Sequence, residues 1–190
     1  MRNSCSIVPF IALLAAAVVL AGCQKAPVVQ SGQAKELLDS WMNNGNKLIE
    51  MAEEFPEDKY DYQPTKEVRT FGEIVHHIAA VNLRYVRQAQ GQPYDPDEFA
   101  TENFKSKAEI VDLLKKSYQE GAELIQPGTD AQMLEGVKNP YGDYTTSRYA
   151  FWMQAVEHAA EHYGNLVVYY RLNRMVPPAS RESGGSASYS

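Results

Sequence analysis

Cysteine is scarce in this sequence, which has 190 residues and only two cysteines, Cys5 and Cys23. Cys5 lies in an N-terminal segment that we expect to be removed by processing, which leaves Cys23 without a partner in the chain. A disulfide framework within one chain is therefore excluded. The fold must be stabilised by burial of apolar side chains, and about 150 residues suffice for such a core.

An excess of basic residues is also absent. The chain has 18 Lys and Arg residues against 24 Asp and Glu residues, and its formal net charge is −6. Proteins that bind nucleic acid, or that dock electrostatically on anionic lipid, present a basic surface. The charge balance therefore argues against nucleic acid as a partner.

One apolar run, from Ile7 to Leu20, is too short to span a bilayer as a stable helix. It follows a short segment with one positive side chain, Arg2, and ends in the sequence Leu-Ala-Gly-Cys at residues 20–23. This arrangement is typical of a signal peptide, which we assign to residues 1–23. The ending resembles the lipobox of bacterial lipoproteins, in which cleavage leaves a lipidated cysteine as the first residue. An ordinary secretory signal is the alternative.

The lipobox resemblance implies that Cys23 is lipidated and that the membrane is a partner through it. More than one acyl chain makes such an anchor stable. Gln24 stands where some lipoproteins carry a retention aspartate, so the resemblance favours the periplasmic side of the outer membrane over the inner membrane. We therefore expect a lipid-anchored protein of the cell envelope, with residues 24–32 as a linker.

Helical periodicity dominates residues 33–178, where apolar side chains recur at intervals of three and four. It predicts four helices, over about residues 33–54, 70–90, 106–126 and 147–174. No run of alternating polar and apolar residues predicts strands, and the loops at 91–105 and 127–146 are expected to be plain connections. The fold class predicted is all-α, an antiparallel four-helix bundle. Residues 179–190 are predicted to be a disordered tail.

Local signals mark the starts of two of these helices. Thr70 with Glu73, and Ser106 with Glu109, form the spacing of a capping box, in which two side chains and two backbone amides are paired reciprocally. We expect the second helix to begin after Thr70 and the third after Ser106.

Histidine occurs at four positions only, in two pairs. His76 and His77 are adjacent in the second predicted helix, and His158 and His162 are four residues apart in the fourth. Residues at that spacing project from the same face of a helix, so both imidazoles can reach one metal ion. One helix cannot surround an ion, so a third ligand must come from another helix.

His77 is the better candidate for the third ligand. It lies on the apolar stripe of the second helix, whereas His76 is turned from it by about 100° and suits a flanking position. We predict that His77, His158 and His162 bind one divalent metal. Histidines packed in the core without a metal are the alternative. Three protein ligands with an open position are typical of catalytic metal sites.

Two segments resemble motifs of a known family. Residues 69–79 (RTFGEIVHHIA) and 157–165 (EHAAEHYGN) resemble the second-helix and fourth-helix motifs of the DinB-like superfamily of four-helix bundles. The resemblance extends over about residues 33–178. It implies a metal bound by one histidine of the second helix and both of the fourth-helix pair, which correspond to His77, His158 and His162. The family often has a glutamine at the position of Asn165, so the role of this shorter amide stays open.

The same resemblance implies a metal-dependent thiol transferase or hydrolase with a small-molecule substrate. Glu73 and Glu161 lie beside the ligands in sequence and are candidates for a general base or for orienting a ligand. Helix capping by Glu73 and a solvated position for Glu161 are the alternatives.

A non-enzymatic metal-binding or ligand-binding lipoprotein is the alternative function. Zinc, nickel, iron and manganese all accept imidazole ligands, so the identity of the metal stays open. Whether the chain forms a homodimer also stays open.

Overall fold

The computed structural model describes residues 32–181. The predicted signal peptide, Cys23, nearly all of the predicted linker and residues 182–190 of the predicted tail lie outside the described residues. The helices are α1 (Gly32–Glu54), α2 (Phe71–Ala89), α3 (Lys107–Ile125), α4 (Asp130–Met133) and α5 (Arg148–Leu172), and two strands, β1 (Gly136–Lys138) and β2 (Thr145–Ser147), lie between α4 and α5. No helix within this part of the chain has the length and hydropathy needed to cross a membrane.

The long helices begin where the local signals predict. Thr70 and Glu73 form a capping box at the start of α2, with each side chain accepting a hydrogen bond from the backbone N–H of the other residue. Ser106 and Glu109 do the same at the start of α3. These interactions join residues three positions apart, which is why the sequence alone predicts them.

The four long helices form a bundle in which α1 and α2 each pack against both α3 and α5. Helices α2 and α5 are antiparallel, because Phe71 lies near Tyr170 at one end and Tyr85 lies near Phe151 at the other. Their ring centroids are 6.2 and 5.0 Å apart, respectively. The all-α four-helix bundle is therefore confirmed.

The direction of α3 differs from a simple alternation of up and down helices. Lys107, at the start of α3, donates a hydrogen bond to the carbonyl of Phe55 just beyond the end of α1, and Asn82 of α2 donates to Ser117 of α3. Helix α3 is thus antiparallel to α1 but parallel to α2, because residues 90–106 carry the chain back along the bundle. The antiparallel prediction holds for α1 with α3 and for α2 with α5.

The segment from residue 127 to residue 146 is not a plain connection, and that prediction was wrong. It contains α4 and an antiparallel pair of strands in which Gly136 lies opposite Ser147. The Asp130 carboxylate accepts a hydrogen bond from the backbone N–H of Ala34 and so attaches the segment to the start of α1. Strands of three residues are too short to produce a recognisable alternation in the sequence.

The fold also extends past residue 178, the predicted end of the bundle. Residues Pro178–Ser180 form a 3-10 turn, and the Arg181 guanidinium pairs with the carboxylates of Glu54 and Glu50 at the end of α1. The first residues of the predicted tail are therefore attached to the bundle by an ion pair that no local pattern in the sequence indicates.

Two glycines allow α1 and α3 to approach closely around buried aromatic rings. Trp41 of α1 donates a hydrogen bond of 2.8 Å from Nε1 to the carbonyl of Tyr118 in α3. A Cβ atom at Gly121 would overlap the Trp41 indole, and one at Gly45 would lie 2.5 Å from the Tyr118 ring. Both backbone positions are therefore restricted by the packing of the rings opposite them.

We predict that Gly121→Ala lowers the free energy of unfolding by about 1–3 kcal/mol, because the added methyl group displaces the Trp41 indole. Gly164→Ala is the matched control, since a Cβ atom there has no neighbour within 4 Å. Alanine at this exposed helical position should stabilise the protein by about 0.5–1 kcal/mol. Urea denaturation with a chelator present measures both variants. A Gly121→Ala variant as stable as the unsubstituted protein would contradict the packing described.

Candidate metal centre

Three of the four histidines meet between α2 and α5. His77 lies on α2, and His158 and His162 lie one turn apart on α5. The antiparallel packing of the two helices places the His77 ring centroid 5.1 Å from that of His158 and 5.0 Å from that of His162. The structure thus brings together the three residues that the sequence selects as ligands.

The nitrogen atoms that face one another are all Nε2. Those of His77 and His158 are 3.2 Å apart, and those of His158 and His162 are 3.1 Å apart. Imidazole nitrogens bound to one ion at about 2.0–2.1 Å, with angles near tetrahedral or octahedral values, lie about 3.0–3.4 Å from one another. The two separations that involve His158 fall in this range, and the ligand atoms of all three residues lie within 4.8 Å of one another. The three side chains therefore form a donor set suited to a single metal ion.

Hydrogen bonds alone cannot satisfy this arrangement. A neutral imidazole nitrogen carries either one proton or one lone pair, so it takes part in one directional hydrogen bond. The Nε2 atom of His158 lies at hydrogen-bonding distance from two other Nε2 atoms. One of the two contacts is therefore unsatisfied without a cation, whereas three lone pairs directed at one ion satisfy all three nitrogens.

The surroundings keep these imidazoles neutral. Burial lowers the pKa of His77 to about 4, and the positive charge of Arg69 and the neighbouring imidazoles act in the same direction. Burial, followed by the charge of His162, lowers the pKa of His158 to about 4, and burial and then Arg69 lower that of His162. Near neutral pH all three rings are unprotonated, which is the state that binds a metal.

His76 lies outside this cluster, on the side of α2 that faces the connection to α3. It is 4% exposed. Its Nδ1 atom is 3.4 Å from the Thr101 hydroxyl, and its ring centroid is 5.0 Å from that of Phe104. The periodicity of α2 predicts this separation from His77. Its burial depends on where residues 99–104 fold back, which no pattern in the sequence indicates.

Two cavities adjoin the histidine cluster. The larger has a volume of about 750 Å³ and opens at His162. The smaller has a volume of about 340 Å³ and includes His76 and His77. Arg69 and Glu73 line both cavities. Each cavity is therefore bordered by one of the three clustered histidines.

The two candidate glutamates occupy different environments. Glu73 lines both cavities, but one of its oxygens accepts the backbone N–H of Thr70 in the capping box. Glu161 is exposed, and neither cavity includes it. The structure favours Glu73 over Glu161 as a residue that a bound molecule would contact.

Asn165 contacts the cluster from α5. Its side-chain amide lies 3.4 Å from Nδ1 of His162, the ring nitrogen that faces away from the other two histidines. The second ring nitrogen of a metal-binding histidine commonly pairs with a polar group that orients the ring. The atom of Asn165 that makes this contact is the amide nitrogen, which donates to an unprotonated Nδ1. With Nε2 on a metal, Nδ1 carries the proton, and the amide oxygen of Asn165 would have to turn towards it.

Sequence reasoning assigned no role to Arg69 or Tyr169. Arg69 precedes the N-cap of α2, and its carbonyl accepts a hydrogen bond from the Tyr169 hydroxyl on α5. This contact joins residues a hundred positions apart in the chain. Helical periodicity does not extend to a residue outside the helix, so only the tertiary structure places Arg69 beside the histidines.

Comparison with known proteins agrees with the fold and the motifs. A DinB-like protein from Bacillus cereus matches with a TM-score of 0.63 and 18% sequence identity, over 76% of this chain and 95% of that one. A DinB-like protein from Bacillus subtilis matches with a TM-score of 0.59 and 20% identity, over 74% and 93%. No match is found among curated proteins. The family model of the DinB superfamily matches residues 43–166, which include all three clustered histidines, and the chain belongs to this superfamily.

Proposed function

We propose that this protein binds one divalent metal ion on His77, His158 and His162 and acts on a small molecule as a metal-dependent hydrolase or thiol transferase. The observation that carries the proposal is the convergence of three imidazoles: Nε2 of His158 lies 3.2 and 3.1 Å from Nε2 of His77 and His162, beside a cavity of about 750 Å³. The DinB superfamily is a metal-binding family, and the cluster is a donor set that could hold such an ion.

Three protein ligands leave coordination positions free, as in catalytic sites. A divalent ion there would lower the pKa of a bound water or thiol and so supply a nucleophile near neutral pH. The neighbouring side chains act on the substrate. Apolar side chains of the larger cavity, such as Ile74 and Val168, exclude water from part of it, and Asn165 would orient His162 by accepting the Nδ1 proton on its amide oxygen.

Glu73 is the side chain positioned to accept or deliver a proton. It lines the cavity at His162 and the cavity at His77. Its bond to Thr70 uses Oε2, which leaves the other carboxylate oxygen for a bound molecule. General bases act through such hydrogen-bonding contacts with the substrate or with an intervening water.

The alternative is a non-enzymatic metal-binding or ligand-binding lipoprotein, and one observation favours it. The carboxylate that lines both cavities is also a structural element of the α2 capping box. A carboxylate held by the helix start is restricted in reaching a substrate. In that case the cluster stores a metal, or the metal retains a ligand, without turnover.

We further propose that lipid on Cys23 anchors the protein in the cell envelope, on the periplasmic side of the outer membrane. This rests on the Leu-Ala-Gly-Cys ending of the apolar N-terminal segment and on Gln24. Residues 24–31 would span at most about 30 Å between the lipid and α1. The bundle end formed by the start of α1 and Asp130 would then be close to the membrane.

The metal proposal predicts about one divalent ion per chain in protein purified without added chelator, measured by elemental analysis. His158→Ala should weaken binding by more than about 100-fold, because even partners of metal ligands contribute 10–100-fold to affinity. His76→Ala is the matched control and should retain the metal, since His76 lies outside the cluster. Full metal content in His158→Ala would exclude this site.

The enzyme proposal predicts turnover when metal-loaded protein is screened with thiols plus electrophiles and with esters and amides, and none with metal-free protein. Glu73→Gln should reduce the turnover by about 100-fold or more. Its unfolding free energy should change by less than about 1 kcal/mol, because a glutamine also completes a capping box. Glu161→Gln is the control and should retain activity. Metal-loaded, folded protein that is inactive across the panel would favour the binding protein.

The anchor proposal predicts that the protein, expressed in a bacterium, is recovered with outer membranes and incorporates labelled fatty acid. Cys23→Ala should abolish the labelling, because no thiol then remains at the processing site. The Cys5→Ala variant is the control and should be labelled normally. An unlabelled, membrane-free protein with Cys23 intact would contradict the anchor.

A further inference from the structure

Arg69 is a basic residue shared by the walls of both cavities at the histidine cluster. Among the other residues that line them, none is a lysine or a second arginine. Arg69 is thus the side chain with a permanent positive charge beside the candidate metal centre, in a protein with an excess of acidic residues.

No carboxylate among the described residues lies close enough to the Arg69 guanidinium to form an ion pair with it. None of the ion pairs formed within residues 32–181 includes Arg69. Of its acidic neighbours in the larger cavity, Glu73 accepts a hydrogen bond from the Thr70 N–H and Glu67 is exposed to solvent. A guanidinium that is accessible and unpaired is available for an anion from outside the chain.

The backbone that carries Arg69 is held in place. The Tyr169 hydroxyl donates to the carbonyl of Arg69, and the side-chain amide of Gln63 donates to the carbonyls of Thr65 and Val68, at 3.1 and 3.0 Å. The segment before α2 is therefore attached to α5, the helix that carries His158 and His162. A binding group on a fixed backbone loses less conformational entropy when a ligand binds.

The rest of the larger cavity is mainly apolar. Its wall includes Pro64, Val68, Ile74, Val168 and Tyr169. Val68 and Val168 are 44% and 51% exposed, so both are accessible to a bound molecule. A ligand in this cavity would meet the guanidinium of Arg69, the histidine cluster at His162 and an apolar surface beside them. The carboxylates of Glu67 and Glu73 lie in the same wall.

We propose that Arg69 binds the carboxylate of a small organic acid whose apolar portion lies along Val68 and Val168 and whose second polar group reaches the metal centre. This inference rests on the proposed function and specifies its substrate class. A guanidinium forms paired hydrogen bonds with a carboxylate. An amine at the same place on the ligand would instead be repelled by Arg69.

Three thiols that differ in charge at the far end test the proposal: 3-mercaptopropionate, 3-mercapto-1-propanol and cysteamine. Each is titrated into the full-length protein, purified in detergent and loaded with cobalt(II), and the sulfur-to-cobalt absorption reports binding. We expect 3-mercaptopropionate to bind about tenfold more tightly than the neutral thiol, and cysteamine to bind most weakly. Arg69→Gln should abolish the preference while the affinity for the neutral thiol stays constant, and Arg69→Lys should retain part of it.

Lys66→Gln is the matched control, because it removes one positive charge from the same segment at a residue that lines neither cavity. It should leave the preference unchanged. Equal affinity for the three thiols, or a preference that survives Arg69→Gln, would overturn the role of Arg69 while leaving the metal site intact. If the unsubstituted protein shows no cobalt spectrum, as we expect for the His158→Ala variant, the metal site is refuted and this inference with it.

Discussion

Aromatic contacts at both ends of the α2–α5 pair, Phe71 with Tyr170 and Tyr85 with Phe151, hold the two helices in one register. His77 lies between these contacts, opposite the turn of α5 that carries His158 and His162. A shift of either helix by one residue would rotate a histidine out of the cluster, because successive helical positions differ by about 100°. The cluster and both adjoining cavities therefore depend on this packing.

The cluster is tolerated only while its members are uncharged. Burial and the nearby guanidinium of Arg69 lower the pKa of all three imidazoles. Protonating them would bring like charges within about 3 Å in a partly desolvated site, which is unfavourable. Neutral, converging nitrogens are what a divalent cation requires. The same burial that makes the cluster unstable to acid thus prepares it for metal binding.

The positive charge of Arg69 has two effects. It disfavours protonated histidines, and it is available to an anionic group of a ligand in the larger cavity. Glu73 lies nearby and is used at the start of α2. The helix start therefore supplies two opposite charges to the walls of the cavities at the histidines, one engaged in the capping box and one accessible. This asymmetry gives the cavity a polarity that a cluster of histidines alone would lack.

The sequence by itself determined the features that depend on neighbours along one helix. These are the capping boxes at Thr70 and Ser106, the common face of His158 and His162, and the position of His77 rather than His76 on the face of α2 towards α5. Only the tertiary structure decided the parallel course of α2 and α3, the burial of His76 beneath residues 99–104 and the place of Arg69 beside the cavities. Capping hydrogen bonds and helix faces involve residues only three or four positions apart, so they appear as a pattern in the amino-acid sequence. Contacts such as Tyr169 with Arg69 join distant segments, and no local pattern encodes them.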